Sequence, residues 1–270
     1  MEWRNIYRGF LMGISDLIPG VSGGTVAFVL GIYDRLLKAI SGFFSLRWKQ
    51  HIGFLLPLGI GIGAALLSLS KVIDYLLAHH FEPTQFFFMG LIIGVLPFIM
   101  KEADVKNSFA SSHYIVMIVF ALLLASMAFI KPSESADPIT TLSVLTVIGL
   151  FFSGWLASMA MLLPGISGSF LLLLLGVYST AINALSTLNL PIIAVIGGGV
   201  IVGFIVSSRG IQYLLTHFTN MTYAIIIGLI LGSIVVIFPG VPTGSTMIIS
   251  LIMLLLGLLV SSLFSMVSRT

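Results

Sequence analysis

Two short segments hold the residues in this chain whose types and spacing could do chemistry. LIPGVSGGT at 17–25 and LLPGISGSF at 162–170 each set a serine, Ser22 or Ser167, behind a Pro-Gly pair and ahead of small residues. Proline and glycine break a helix, and a serine just past the break is a favoured N-cap for the helix that restarts. The small residues that follow, Gly23 and Gly24 in one segment and Gly168 and Ser169 in the other, let a ligand approach the free amides of the first turn. A helix N-terminus carries roughly half a positive charge and is a natural anion site, worth up to about 2 kcal/mol where partly buried. The chemistry on offer is therefore the holding of an anion. The plainer alternative is a tight turn between packed helices, with glycines serving close contact only.

What must position these segments is a bundle of membrane helices. Of 270 residues, 58% are hydrophobic and 8% charged, and the mean hydropathy is +1.17, outside the range of a soluble domain. Apolar runs long enough to span fall at 52–70, 113–130, 139–163, 169–188, 190–208, 221–238 and 247–267, with a shorter one at 86–100. The runs are continuous and not alternating, which predicts helices and excludes a β-barrel. No short apolar region near the start ends in a small-residue cleavage site, so no cleavable signal is expected. The absence of cysteine excludes disulfides and thiolate chemistry.

The chain also repeats itself. Residues 18–41 align with 163–186 at an offset of 145, matching Pro19 with Pro164, Ser22 with Ser167, Gly31 with Gly176 and Tyr33 with Tyr178. Residues 70–94 align with 208–232 at an offset of 138, matching Lys71 with Arg209, His79 with His217 and Gly90 with Gly228. One duplicated unit with a loop insertion explains both offsets. The expected organisation is a first repeat at 1–105, a linking transmembrane helix and loop at 106–138, and a second repeat at 139–270.

If each Pro-Gly-x-Ser-Gly element turns the chain back, a unit contributes an odd number of spans and the copies are inverted. Placing the N-terminus in the cytoplasm then puts Arg4, Arg8, Arg35, Lys38, Arg47, Lys49, Lys101, Lys106, Arg209 and Arg269 inside and leaves Lys71 and Lys131 outside, as the positive-inside rule asks. The predicted fold is an all-α integral membrane protein, a polytopic bundle of two inverted-topology repeats, each with a broken or re-entrant hairpin. Unpaired backbone in lipid is tolerated only beside protein or a polar cavity, so buried turns predict such a cavity. Two inverted copies would aim two helix ends at one midplane locus, as in secondary transporters with broken helices.

Isolated charges add candidates. Asp16, three residues before Pro19, has Met161 at the matching place; it could carry a proton, bind a cation or cap backbone. Lys71 and Arg209 could hold phosphate, or simply anchor helix ends by snorkelling. His79, His80 and His217 have no ligand-spaced partners, so no metal site is expected. A third break, FPGVPTGST at 238–246, reads as a surface loop.

SDLIPGVSGGT and LLPGISGSFLLLLLGVY, with the repeated body from residue 9 to 265, resemble the bacterial polyprenyl-phosphate transporter family, formerly a domain family of unknown function. The resemblance implies a multi-pass protein of the cytoplasmic membrane, both termini inside, that returns undecaprenyl phosphate to the inner leaflet. By position it carries the family signature onto Asp16, Pro19, Gly20, Ser22, Gly23, Gly24 and Thr25, and onto Pro164, Gly165, Ser167, Gly168 and Ser169. A small anionic head with a long apolar tail suits two helix ends and a basic side chain, Lys71 or Arg209. The partners expected are the lipid phosphate, membrane lipids and a coupling proton or cation; no cofactor and no nucleic acid are expected.

Two other readings stand beside this one. A transporter of a small soluble anion uses the same helix ends. An undecaprenyl-pyrophosphate phosphatase also has inverted repeats and a Pro-Gly-x-Ser element, but with arginine and serine following and paired glutamates. Here glycine follows both serines and no Glu lies inside a span, so phosphoryl transfer lacks its groups and no enzyme is expected.

Overall fold

A computed structural model of the chain describes residues 1–16, 22–43, 48–129, 139 and 142–267. Pro19, Gly20, Arg47, Lys131 and Arg269 lie outside the described residues. Regular structure among those residues is helical throughout. Helix α1 (Asn5–Asp16) is followed by α2 (Gly23–Val29) and α3 (Tyr33–Gly42), the helices of the first Pro-Gly-x-Ser-Gly segment, or first hairpin. The long α4 (Trp48–His79), α5 (Phe81–Glu102), the single turn α6 (Val105–Ser108) and α7 (Ser111–Ser126) follow. Apart from α6 the order then recurs: α8 (Val144–Leu162), α9 (Gly168–Leu174), α10 (Tyr178–Ser186), α11 (Leu190–His217), α12 (Thr219–Ile237) and α13 (Ser245–Val267). Among the described residues 6 helices are long and apolar enough to cross a membrane, namely α4 over Trp48–Leu69, α5, α7 with the turn after it, α8, α11 and α12. The protein is a polytopic, all-α membrane protein.

Two apolar runs differ from their sequence outline. The run at 169–188 is not a straight span: the chain bends by 115° between α9 and α10. Gly176 takes φ +70° there, a left-handed conformation that ends α9, and Gly31 takes φ +64° at the matching place between α2 and α3. The run at 86–100 is short only by composition. Helix α5 extends it to 22 residues, carrying Glu82 and Lys101 in its end turns, where each charge complements the helix dipole. The segment 238–244 is non-helical, with Phe238, Val241 and Thr243 exposed, in keeping with a surface loop.

Close helix contacts fall on glycines, and they recur at the sequence offsets. A Cβ on Gly9 of α1 would strike the carbonyl of Leu58 in α4, and one on Gly154 of α8 would strike the carbonyl of Ile196 in α11. Gly61 meets Ile6, and Gly199 meets Phe151, in the same way. The last helix of each half crosses over. Helix α13 lies along α5, with Leu254 against Gly90 and Ser261 against Gly94; α7 lies along α12, with Met117 against Gly228 and Ala121 against Gly232. Lipid tails are as apolar as leucine, so close backbone approach at small residues is what holds such pairs. The main core joins α2, α3, α5 and α12 through Phe28, Leu36, Ile92 and Ile227, and the first hairpin is packed inside it.

Candidate functional site

Ser22 is the N-cap of α2: its backbone is extended, with φ −114° and ψ 133°, and its Oγ accepts a hydrogen bond from Gly24 N at 3.1 Å. The same hydroxyl donates toward Leu163 O at 3.3 Å and Met161 O at 3.5 Å, at the end of α8. Tyr33, at the start of α3, donates to Leu162 O at 2.8 Å. The last carbonyls of any helix lack partners within it, and here hydroxyls from the first hairpin supply them. In the reverse direction Gly165 N donates to Thr25 Oγ1 at 2.9 Å. The two hairpins thus interlock, and the positive end of α2 meets the negative end of α8. Ser22 and Thr25 are buried to 1% and 3% exposure. A Cβ on Gly24 would lie 3.1 Å from the carbonyl oxygens of both Met161 and Leu162, so only glycine allows this approach without a shift.

Asp16 closes the first hairpin on itself. Its Oδ1 accepts from Gly23 N at 2.8 Å, while Thr25 N donates to Ser22 O at 2.9 Å. With Gly24 N on Ser22 Oγ, the leading amides of α2 are all engaged. The negative charge at this helix end is the protein's own carboxylate, which is half-buried and forms no ion pair among the described residues.

The second hairpin differs chemically. Ser167 caps α9 by position, but its hydroxyl pairs with Ser169 Oγ at 2.8 Å and makes no side-chain bond to the helix backbone. Pro164, Gly165, Ser167 and Gly168 are buried, whereas Ser169 is exposed and most of α9 is half-exposed. Gly168 packs on Met161, the residue at the place of Asp16, so this end has no carboxylate.

Of the sequence candidates, Asp16, Ser22, Gly23, Gly24, Thr25, Pro164, Gly165, Ser167, Gly168 and Ser169 gather in the two hairpins. Lys71 and Arg209 do not join them. Arg209 Nη2 donates to Ser41 O at 3.4 Å at the far end of α3, about 12 Å from Tyr33 by helical rise. Lys71 is exposed on α4. Tyr33 and the carbonyls of Met161, Leu162 and Leu163 escape sequence reasoning. The Tyr33–Tyr178 match was a signal for the first, but Tyr178 is exposed, so the duplicate does not share the role. Beside Tyr33 a polar vestibule of about 560 Å³ extends past Tyr223 to Asp34, Lys101 and Glu102.

Residues 12–251 match the family described as undecaprenyl phosphate translocase-like. The chain belongs to that family. A Staphylococcus aureus protein named polyprenyl-phosphate transporter is 47% identical over 268 residues, covering 96% of this chain and 95% of its own length. A Vibrio cholerae protein of the same name is 34% identical over 253 residues, covering 88% of this chain and 79% of its own length. No solved structure matches the chain. In this translocase-like chain the family match takes in both hairpins and every contact between them.

Proposed function

We propose that the chain returns undecaprenyl phosphate from the outer to the inner leaflet of the bacterial cytoplasmic membrane by alternating access. The phosphate head is held at the hairpin contact and the tail stays in lipid. The observation that carries this reading is the contact itself, where polar helix ends meet inside an apolar bundle whose relatives are named polyprenyl-phosphate transporters. The barrier to be lowered is dehydration of a charged head in hydrocarbon. Amides and hydroxyls already gathered at the contact can replace its water.

In the arrangement described, the contact is closed and Asp16 holds the amide that a phosphate would need. As the hairpins part, the head takes the amides of Gly23 and Gly24 and the hydroxyls of Ser22, Ser167 and Ser169, and displaces Asp16. A coupling proton or cation at Asp16 favours that exchange. Pro19, Gly20, Pro164, Gly165 and Gly168 shape the turns, and Thr25 ties them. Lys71 meets the head at the outer face and Arg209 at the inner one. The vestibule beside Tyr33, with Lys101 and the carboxylates of Asp34 and Glu102 at its polar wall, is the inward exit.

The bundle in this reading is two inverted units with both termini cytoplasmic. Supporting it, the glycine contacts of α1 with α4 recur between α8 and α11. Helix α7, a link between repeats by sequence, packs on α12 as α13 packs on α5, and so closes the first unit as α13 closes the second.

The test is translocation of a fluorescent polyprenyl phosphate in liposomes carrying the purified chain. Transport that depends on the protein and falls at least tenfold in Ser22→Ala with Ser167→Ala is the expected result. Phosphate release from the pyrophosphate lipid that Ser22→Ala abolishes would make the chain an enzyme. Binding blocked by a soluble organic anion but indifferent to prenyl phosphate would make it a small-anion transporter.

A further inference from the structure

Between α1, α2, α5 and α13 lies a cavity of about 150 Å³ with almost wholly apolar walls, among them Ile14, Val29, Val95 and Val260. An apolar cavity of roughly this size stays dry and takes a six-carbon ring, so a five-carbon isoprene unit fits it. Two side chains make it more than a packing defect. Ser261 of α13 lines it at 1% exposure, and its hydroxyl finds no hydrogen-bond partner among the described residues. A serine within an apolar helix ordinarily bonds a carbonyl one turn back, as Ser15 does on the facing wall, donating to Met12 O at 2.6 Å. A buried hydroxyl left unpaired calls for a polar atom on whatever occupies the space. Thr25 also lines the cavity, and it is the residue that accepts from Gly165 N across the hairpin contact. The cavity therefore borders the hairpin contact at Thr25.

We infer that this cavity receives the isoprene unit next to the phosphate, with Ser261 donating to the ester oxygen that joins chain to head. The inference rests on the transport reading above and deepens it: the protein reads a branched prenyl phosphate, not any lipid phosphate. The rest of the tail needs no pocket. A membrane lipid's unbranched acyl chain leaves the space of the branch unfilled and offers Ser261 no ester oxygen.

The experiment measures binding of farnesyl phosphate and of dodecyl phosphate, which has the same main-chain length without branches, to the full chain in lipid nanodiscs. Wild type is expected to prefer farnesyl phosphate by roughly tenfold, the scale of one methyl group in a fitted apolar pocket. Val29→Phe and Val95→Phe, which fill the cavity, bring that ratio toward one while dodecyl phosphate still binds. Ser261→Ala weakens both ligands by about three- to tenfold, the range of one hydrogen bond, and decides the matter if the filled variants do not fold. Equal binding of the two ligands by wild type, a preference that survives filling, or unchanged affinity in Ser261→Ala overturns the inference and leaves lipid-phosphate transport standing. No binding of either ligand overturns both.

Discussion

The carboxylate of Asp16 accepts from Gly23 N at 2.8 Å at the positive end of α2, the place the proposed function gives to the phosphate. Two anions cannot share one amide, so Asp16 and the phosphate compete. Asp16→Asn keeps an acceptor for Gly23 N but removes the charge. It is expected to tighten farnesyl phosphate binding about tenfold, within the range of a helix-end charge interaction, and to slow liposome transport through slower release. Weaker binding would mean that Asp16 assists the head and does not oppose it. Thr25 makes a separate prediction. Thr25→Val leaves Gly165 N buried without its acceptor and should lower stability by about 1–3 kcal/mol, read as a lower melting temperature; Thr25→Ser should behave as wild type. At this scale the sequence reveals the local part of the site. A cap such as Ser22 is set by residues one or two positions away, so its type and place are legible. The bonds of Thr25 to Gly165 and of Tyr33 to Leu162 join residues far apart in the chain, and no local preference encodes them. The mutual approach of α2 and α8 end to end is likewise a product of packing, where sequence symmetry alone suggests two N-termini facing each other.

Helix pairing is where the glycines act. GLIIG at 90–94 and GLILG at 228–232 occupy matching places in α5 and α12, and their first glycines lie against the backbones of Leu254 and Met117. Gly90→Ala and Gly228→Ala therefore force helices apart, and each should destabilise by about 1–3 kcal/mol, the usual penalty of overpacking. Gly53 and Gly63 in α4 have nothing within 4 Å of a built Cβ. Alanine there should be neutral or stabilise by up to about 1 kcal/mol through helix propensity. Thermal unfolding of the four variants in one detergent checks the contrast; equal effects at all four positions would remove the packing argument. The spans themselves are legible from apolar length, and the small-residue pairs mark which helices pack tightly. Which helix is the partner is not legible, because seven similarly oily segments offer no pattern that distinguishes α13 from α7 as the mate of α5. The break inside 169–188 is hidden for a related reason: the run carries no charge and is apolar enough to pass for one span, and the left-handed Gly176 sits at its bend.

The crossing of α7 and α13 constrains how the whole molecule can move. Rocking one half of the chain against the other as two rigid bodies would tear α13 from α5 and α7 from α12, along contacts that run through glycines. In the proposed mechanism the fixed frame is instead α5, α7, α12 and α13. The first hairpin packs against that frame and against α11, so in this proposal movement falls to the second hairpin with α8 and α11, which share a smaller core of their own through Leu150, Val177, Ala184 and Ile192. In the proposed alternating access, the change of access falls at the hairpin contact, with its few hydrogen bonds, and not at the helix seams. This scheme needs the two units to be inverted, and Lys71 and Arg209 test that directly, being both exposed and 138 residues apart at matching places. The chain has no cysteine, so single substitutions report without background. In intact cells a membrane-impermeant maleimide should label Lys71→Cys, and it should label Arg209→Cys, Lys38→Cys and Lys101→Cys only after permeabilisation. Labelling of Lys71→Cys and Arg209→Cys from the same side would make the units parallel. Both hairpins would then enter from one face of the membrane, and a site opening to each leaflet in turn would lose its basis.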